Sequence, residues 1–141
     1  MEERFIFESI LIFNADLTEK ELDECVKLTL DRLYEQPANR RGVYFNEWGK
    51  KNLAYEISHH KSGYYVQVYH EDTEEGIQRV HNIWDCQKSF ILKYISVRRD
   101  VCDWPDQNTD MIPYQVKTGI RSEQTTEPDL FDVLFGLARY E

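Results

Sequence analysis

At 141 residues the chain has the length of one ordinary domain with an appendage, enough to bury a sizeable core unaided by metals or disulfides. Its three cysteines, Cys25, Cys86 and Cys102, show no CxxC spacing, which argues against a disulfide framework or a zinc knuckle, and no apolar run reaches the ~18 residues of a membrane span. A formal net charge of -9 speaks against nucleic-acid binding over the whole surface, because phosphates are met by clustered Lys and Arg.

The charge is segregated along the chain. Between Arg40 and Lys61 there are five cations (Arg40, Arg41, Lys50, Lys51, Lys61) against two anions (Glu47, Glu56), and Lys88, Lys93, Arg98 and Arg99 form a second basic segment without an acid. The acids gather in residues 1–35 and 100–141. Met1-Glu2-Glu3-Arg4 has neither the basic start of a secretory signal nor the acid-poor character of a transit peptide, so an intracellular or already processed protein is expected.

Phe5 to Phe13 is a nearly continuous β-branched and aromatic run closed by Asn14-Ala15-Asp16, the pattern of a buried central strand. Thr18 and Glu21 then make a Thr-x-x-Glu capping box, and Leu22, Cys25, Val26, Leu30 and Leu33 recur at helical spacing up to the break before Pro37. Val43 to Ile57 reads as a long strand in which Gly49 marks a bulge or kink. Ser58 to Gly63 is expected to be a polar hairpin loop, followed by a strand from Tyr64 to Tyr69. Thr73 caps a second helix whose stripe is Ile77, Val80, His81 and Trp84, and Ser89 to Arg98 returns to strand character.

The order β-α-β-β-α-β predicts an α+β, ferredoxin-like domain over residues 1–100: a four-stranded antiparallel sheet with both helices on one face and the other face open. The first and third strands fall in the centre and the second and fourth at the edges, which puts both basic segments on edge strands. Residues 101–141 are expected to be an irregular C-terminal extension, with a possible short amphipathic helix over 129–140 carrying Leu130, Leu134 and Leu137. A helix of that length needs a surface to bury against.

Within this layout, Glu47-Trp48-Gly49-Lys50-Lys51 through Leu53-Ala54-Tyr55 and Ile57, then Gly63-Tyr64-Tyr65, resembles the motif of the bacterial-type small-ribosomal-subunit protein six family. Phe7-Glu8-Ser9 through Asn14-Ala15-Asp16-Leu17 and Leu92-Lys93-Tyr94-Ile95-Ser96-Val97-Arg98 are similar to its first and last strands, so the likeness spans about residues 5–99. Two positions depart from the family pattern: Glu56 and Ala15 stand where proline is common, and the extension is longer than most members carry. The resemblance implies a structural constituent of the small ribosomal subunit, without enzymatic activity, cofactor or metal. It would bind the central domain of small-subunit rRNA together with small-subunit protein eighteen, and reach other ribosomal proteins through the tail. On that reading Arg4, Lys50, Lys51, Lys93, Arg98 and Arg99 neutralise phosphates, while Trp48, Tyr55, Tyr64, Tyr94 and the tail leucines 130, 134 and 137 serve partners. The extension and the three Trp and three Cys point to the mitochondrial matrix ahead of a bacterial cytoplasm.

Other function classes are weaker. Acyl-phosphate hydrolysis on this fold needs a phosphate-cradling loop with an Arg after the first strand, and Asn14-Ala15-Asp16-Leu17 supplies neither an early Gly nor an Arg. His59, His60, His70, His81 and Cys86 are the available metal ligands, but paired loop histidines and a histidine on a helical stripe read as ordinary polar and boundary residues. A protein-interaction module that uses the open sheet and tail without RNA contact is the alternative.

Overall fold

The first strand, β1 (Arg4–Asn14), lies in the interior of the sheet, paired on both sides. It is followed by α1 (Glu19–Tyr34), β2 (Tyr44–Ile57), β3 (His60–Thr73), α2 (Glu74–Asp85), β4 (Ile91–Arg99) and a two-residue strand, β5 (Ile112–Pro113). This computed structural model describes residues 3–105 and 110–114; the tail positions 130, 134 and 137 and the expected helix over 129–140 lie outside the described residues.

All pairings are antiparallel and the sheet order is β4-β1-β3-β2-β5. The α+β arrangement, with β1 and β3 innermost, is as expected. The expected four-stranded sheet is corrected to five strands, because residues 112–113 pair with Tyr44 and Phe45 along the outer edge of β2. Two-residue strands carry too little periodicity to be read from sequence.

Both helices begin where their caps predict. The Thr18 side chain accepts from the Glu21 backbone N–H at 3.1 Å while the Thr18 N–H donates to the Glu21 carboxylate at 3.0 Å, and Thr73 accepts from the Gly76 N–H at 2.9 Å. Leu11, Phe13, Val66 and Val68 from the sheet bury against Val26, Leu30 and Leu33 of α1 and Val80 and Trp84 of α2. Beneath α2 a polar line crosses this apolar layer: His70 Nε2 lies 3.2 Å from Ser9 Oγ, Ser9 Oγ 2.7 Å from Ser96 Oγ, and Ser96 Oγ 2.8 Å from His81 Nε2. Burial, with some help from His81, pushes the fully enclosed His70 imidazole down to about 3, so it is neutral at ordinary pH.

The β2–β3 hairpin differs most from expectation. Instead of a six-residue loop over 58–63, the chain turns in two residues, Ser58 (φ 50) and His59 (φ 71), and β3 begins at His60. Two left-handed residues in succession match the twist of a tight hairpin. Gly63 thus lies within the strand, where an added Cβ would sit 2.3 Å from Ile12 Cγ2 and 3.5 Å from Leu53 Cδ2. Its role is close approach, not turning.

Candidate functional site

On the face away from the helices a chain of hydrogen bonds runs across four strands. The Trp48 indole N–H (β2) donates to Gln67 Oε1 (β3) at 3.2 Å, Gln67 Nε2 donates to Glu8 Oε2 (β1) at 2.7 Å, and Arg99 Nε (β4) donates to Glu8 Oε1 at 2.8 Å. This line separates two regions of different character.

One region is closed by the chain after β4. A turn of 3-10 helix at Val101–Asp103 leads to Trp104, whose ring meets Tyr44 edge-on at 5.4 Å and lies 5.7 Å from the Arg41 guanidinium. Under this crossing Ile6 is only 2% exposed and Glu71 3%, although both belong to the nominally open face. Glu71 accepts from the Arg40 backbone N–H at 2.8 Å and from Arg40 Nη2 at 3.1 Å, with Arg41 Nε at 3.7 Å. Burial alone would raise the Glu71 carboxyl, but the Arg40 hydrogen bonds and the charges of Arg40 and Arg41 outweigh it and hold it below the usual range. The strap ends on the helix side, where Tyr114 packs edge-on against Phe45 and Tyr34 and its phenol donates to Asp31.

The other region is apolar and open. Between Asn52↔Ser62 and Ile57↔His60 the hairpin register shifts, so that Leu53, Ala54, Tyr55 and Glu56 form a wide bulge. A second shift, at Gly49 (φ +91), follows Glu47. The bulge leans across the sheet until Lys93 Nζ of β4 donates to the Tyr55 phenol at 2.7 Å and lies 5.3 Å from its ring centre. Beneath this bridge is a cavity of about 310 Å³ lined by Ile10, Ile12, Leu53, Tyr55, Tyr65 and Ile95 among others. Tyr55 is 61% and Ile95 59% exposed, and Trp48, stacked beside Tyr65 at 6.2 Å and 12°, is 40% exposed. Exposed apolar clusters of this kind mark interaction surfaces.

The predicted basic residues separate into two groups. Arg98 pairs with Glu74 at 3.1 Å and lies 4.0 Å from the Phe5 ring centre, Arg99 pairs with Glu8 at 2.7 Å, and Arg4 donates to the Ala38 carbonyl at 3.2 Å. Lys50 and Lys51 are exposed, opposite Tyr64 and Gly63 in register, and among the described residues they form no ion pair, nor does Lys61. Successive strand residues alternate faces, so Lys50 and Lys51 present charge on both sides of the hairpin. Lys93 donates to the Tyr55 phenol and forms no ion pair among the described residues.

The aromatic candidates divide as well. Trp48 and Tyr55 share the open region. Tyr64, expected at a partner surface, is 8% exposed and belongs to the hydrophobic core, because the two-residue turn puts it in register on the helix side. Tyr94 packs against Trp84 at 5.1 Å and His81 at 4.8 Å and donates to Asp85 at 2.7 Å; burial and the Asp85 carboxylate push its phenol up to about 12. His59 and His60 sit at the hairpin tip, with His60 Nδ1 3.1 Å from Asp16, at the opposite end of β3 from His70. Sequence reasoning missed Tyr65, Gln67 and Ile95, and the acids Glu8 and Glu71. Glu8 inside a run of apolar strand residues was the available signal, since an acid there requires a partner.

The profile of the family described as ribosomal protein S6 matches residues 6–98, from β1 to the end of β4. The chain belongs to the ribosomal protein S6 family. Among similar S6 proteins, small ribosomal subunit protein bS6 of Trichodesmium erythraeum is 24% identical over 106 residues, covering 75% of this chain and 88% of that protein. Small ribosomal subunit protein bS6 of Caldanaerobacter subterraneus is 31% identical over 99 residues, covering 67% and 96%. The crystal structure of 30S ribosomal protein S6 from Thermotoga maritima has the same fold, with a TM-score of 0.62 at 20% identity, covering 76% of this chain and 98% of that one. These S6 relatives are bacterial, so the expected lean toward a mitochondrial matrix finds no support in them.

Proposed function

We propose that this protein is a structural constituent of the small ribosomal subunit that binds the central domain of small-subunit rRNA together with small-subunit protein eighteen. The observation that carries this reading is the conjunction, at one hairpin, of cations that form no ion pair among the described residues with an exposed apolar cleft. Lys50, Lys51 and Lys61 meet phosphates, and Trp48, Tyr55 and Ile95 meet the protein partner. Lys93 joins the rim of the cleft, while Arg4, Arg98 and Arg99 act mainly within the fold, because their charge or donors are already engaged. The phosphate contacts position the protein and leave sequence discrimination to the assembled complex. No catalytic step is involved.

The ion pairs of Arg98 and Arg99 favour a second reading, in which the apolar cleft binds a protein and RNA is not touched. Salt titration separates the two: affinity for the rRNA central domain with its partner protein should fall steeply with added salt, whereas a purely apolar interface should not respond. The protein should co-sediment with small subunits purified at low salt, and its absence from them would sink the ribosomal reading.

A further inference from the structure

The apolar cleft under the Tyr55–Lys93 bridge is open, while the other end of the same face is closed by the chain's own residues 101–105. The extension therefore already serves as cover, folding across the sheet and returning along the edge of β2 at Ile112–Pro113. Beyond Tyr114 the sequence continues with polar residues and then an apolar segment, Leu130-Phe131-Asp132-Val133-Leu134-Phe135-Gly136-Leu137. We infer that this segment docks into the cleft of its own chain, through Leu130, Leu134 and the neighbouring phenylalanines, and covers the remaining half of the face until a partner displaces it.

Three observations select this occupant. The first is reach: the fifteen residues 115–129 extend to roughly 50 Å at most, which exceeds the about 20 Å across a five-stranded sheet at its usual strand spacing plus the roughly 10 Å needed to round the β2 edge from Tyr114 on the helix side. The second is chemistry. The cleft is lined by isoleucines, Leu53 and tyrosine rings, with the Lys93 ammonium on its rim and Lys61 next to Glu56 beside the bulge; the segment is leucine- and phenylalanine-rich, with carboxylates at Glu127, Asp129 and Asp132 that Lys93 can meet. The third is tethering. A tether of fifteen residues holds the segment at an effective concentration on the order of millimolar, enough for a short apolar segment of weak intrinsic affinity to occupy the cleft. A partner with a larger footprint can still displace it.

The test uses the full chain, with Cys25, Cys86 and Cys102 replaced by Ser and a nitroxide attached in a G136C variant. The methyl resonances of Ile10, Ile12 and Ile95 should lose most of their intensity, those of Val26 on the buried face of α1 should keep theirs, and the loss should be independent of protein concentration. Adding Leu130→Asp and Leu134→Asp should restore the intensities without changing the rest of the spectrum, which also shows that the domain remains folded. Unchanged Ile95 and Ile12 intensities would overturn the proposal. So would a loss that disappears on dilution, which would make the occupant a second copy of the chain. The measurement needs neither RNA nor ribosomes, so its failure and that of the ribosomal reading are independent.

Discussion

The two halves of the sheet's outer face are built from the same strands and differ in how their charges and apolar groups are satisfied. At the Ile6–Glu71 end, arginines meet buried carboxylates, the strap lays Trp104 on Tyr44, and little is left for another molecule. At the hairpin end Lys50, Lys51 and Lys61 form no ion pair among the described residues, although Glu56 lies beside Lys61, and isoleucines and tyrosines face solvent. A count of basic residues along the chain would rank the two alike. Available charge is what remains after internal acids are subtracted, and between these two regions that remainder falls to the hairpin.

The largest effect should come from the strap. Tyr114 is 4% exposed and touches Phe45, Tyr34 and Asp31; burial and the Asp31 carboxylate hold its phenol well above the ordinary tyrosine range. Tyr114→Ala should cost about 3 kcal/mol in urea unfolding, while Tyr55→Ala, at 61% exposure, should stay within about 0.5 kcal/mol and instead weaken partner binding. Equal losses of stability from both would erase the distinction between the regions.

Acid should expose the next difference. His70 is held neutral, with its folded value near 3 against an ordinary 6.5, so the unfolded chain binds the extra proton between those limits. Stability from this group is complete above about pH 6.5 and is lost as pH falls toward 3, by about 2 kcal/mol between pH 7 and pH 5. The urea midpoint measured against pH should show this slope, His70→Leu should flatten it, and Lys50→Ala or Lys51→Ala should leave it unchanged.

On the binding side, Lys50→Ala and Lys51→Ala should each reduce the salt slope of rRNA binding by about 1 without moving the melting temperature. Arg99→Ala should do the reverse, since it leaves the largely buried Glu8 without its guanidinium partner. The smallest change is expected for Arg98→Ala: its partner Glu74 is 63% exposed, and such pairs contribute within about 1 kcal/mol. A salt slope that moved more with Arg98 than with Lys50 would put the RNA surface on β4.

Much of this could be read from residue order. The capping box at Thr18, the stripes of both helices and the central position of Phe5–Phe13 depend on local periodicity, which sequence carries directly, and the hairpin motif named its family. What could not be read depends on contacts between distant residues. Gly63 looked like a turn residue, yet it is there because Ile12 and Leu53 close over it; Tyr64 looked like a surface aromatic until the two-residue turn fixed its register. Arg99 and Glu8, ninety-one residues apart, cancel only once β1 and β4 lie side by side. β5 had no pattern to find, since its place is set by Tyr114 reaching the core.

That short strand also bears on self-association. Without it, β2 would offer a neighbouring molecule a row of open backbone groups beginning at Tyr44, and sheets can grow by adding strands to such a row. The strand that occupies it is two residues long and ends in Pro113, which has no N–H to offer. The start of that row, at Tyr44 and Phe45, is thereby occupied, and along the rest of β2 the register shifts at Gly49 and over residues 53–56 break the regular backbone row that a further strand would need.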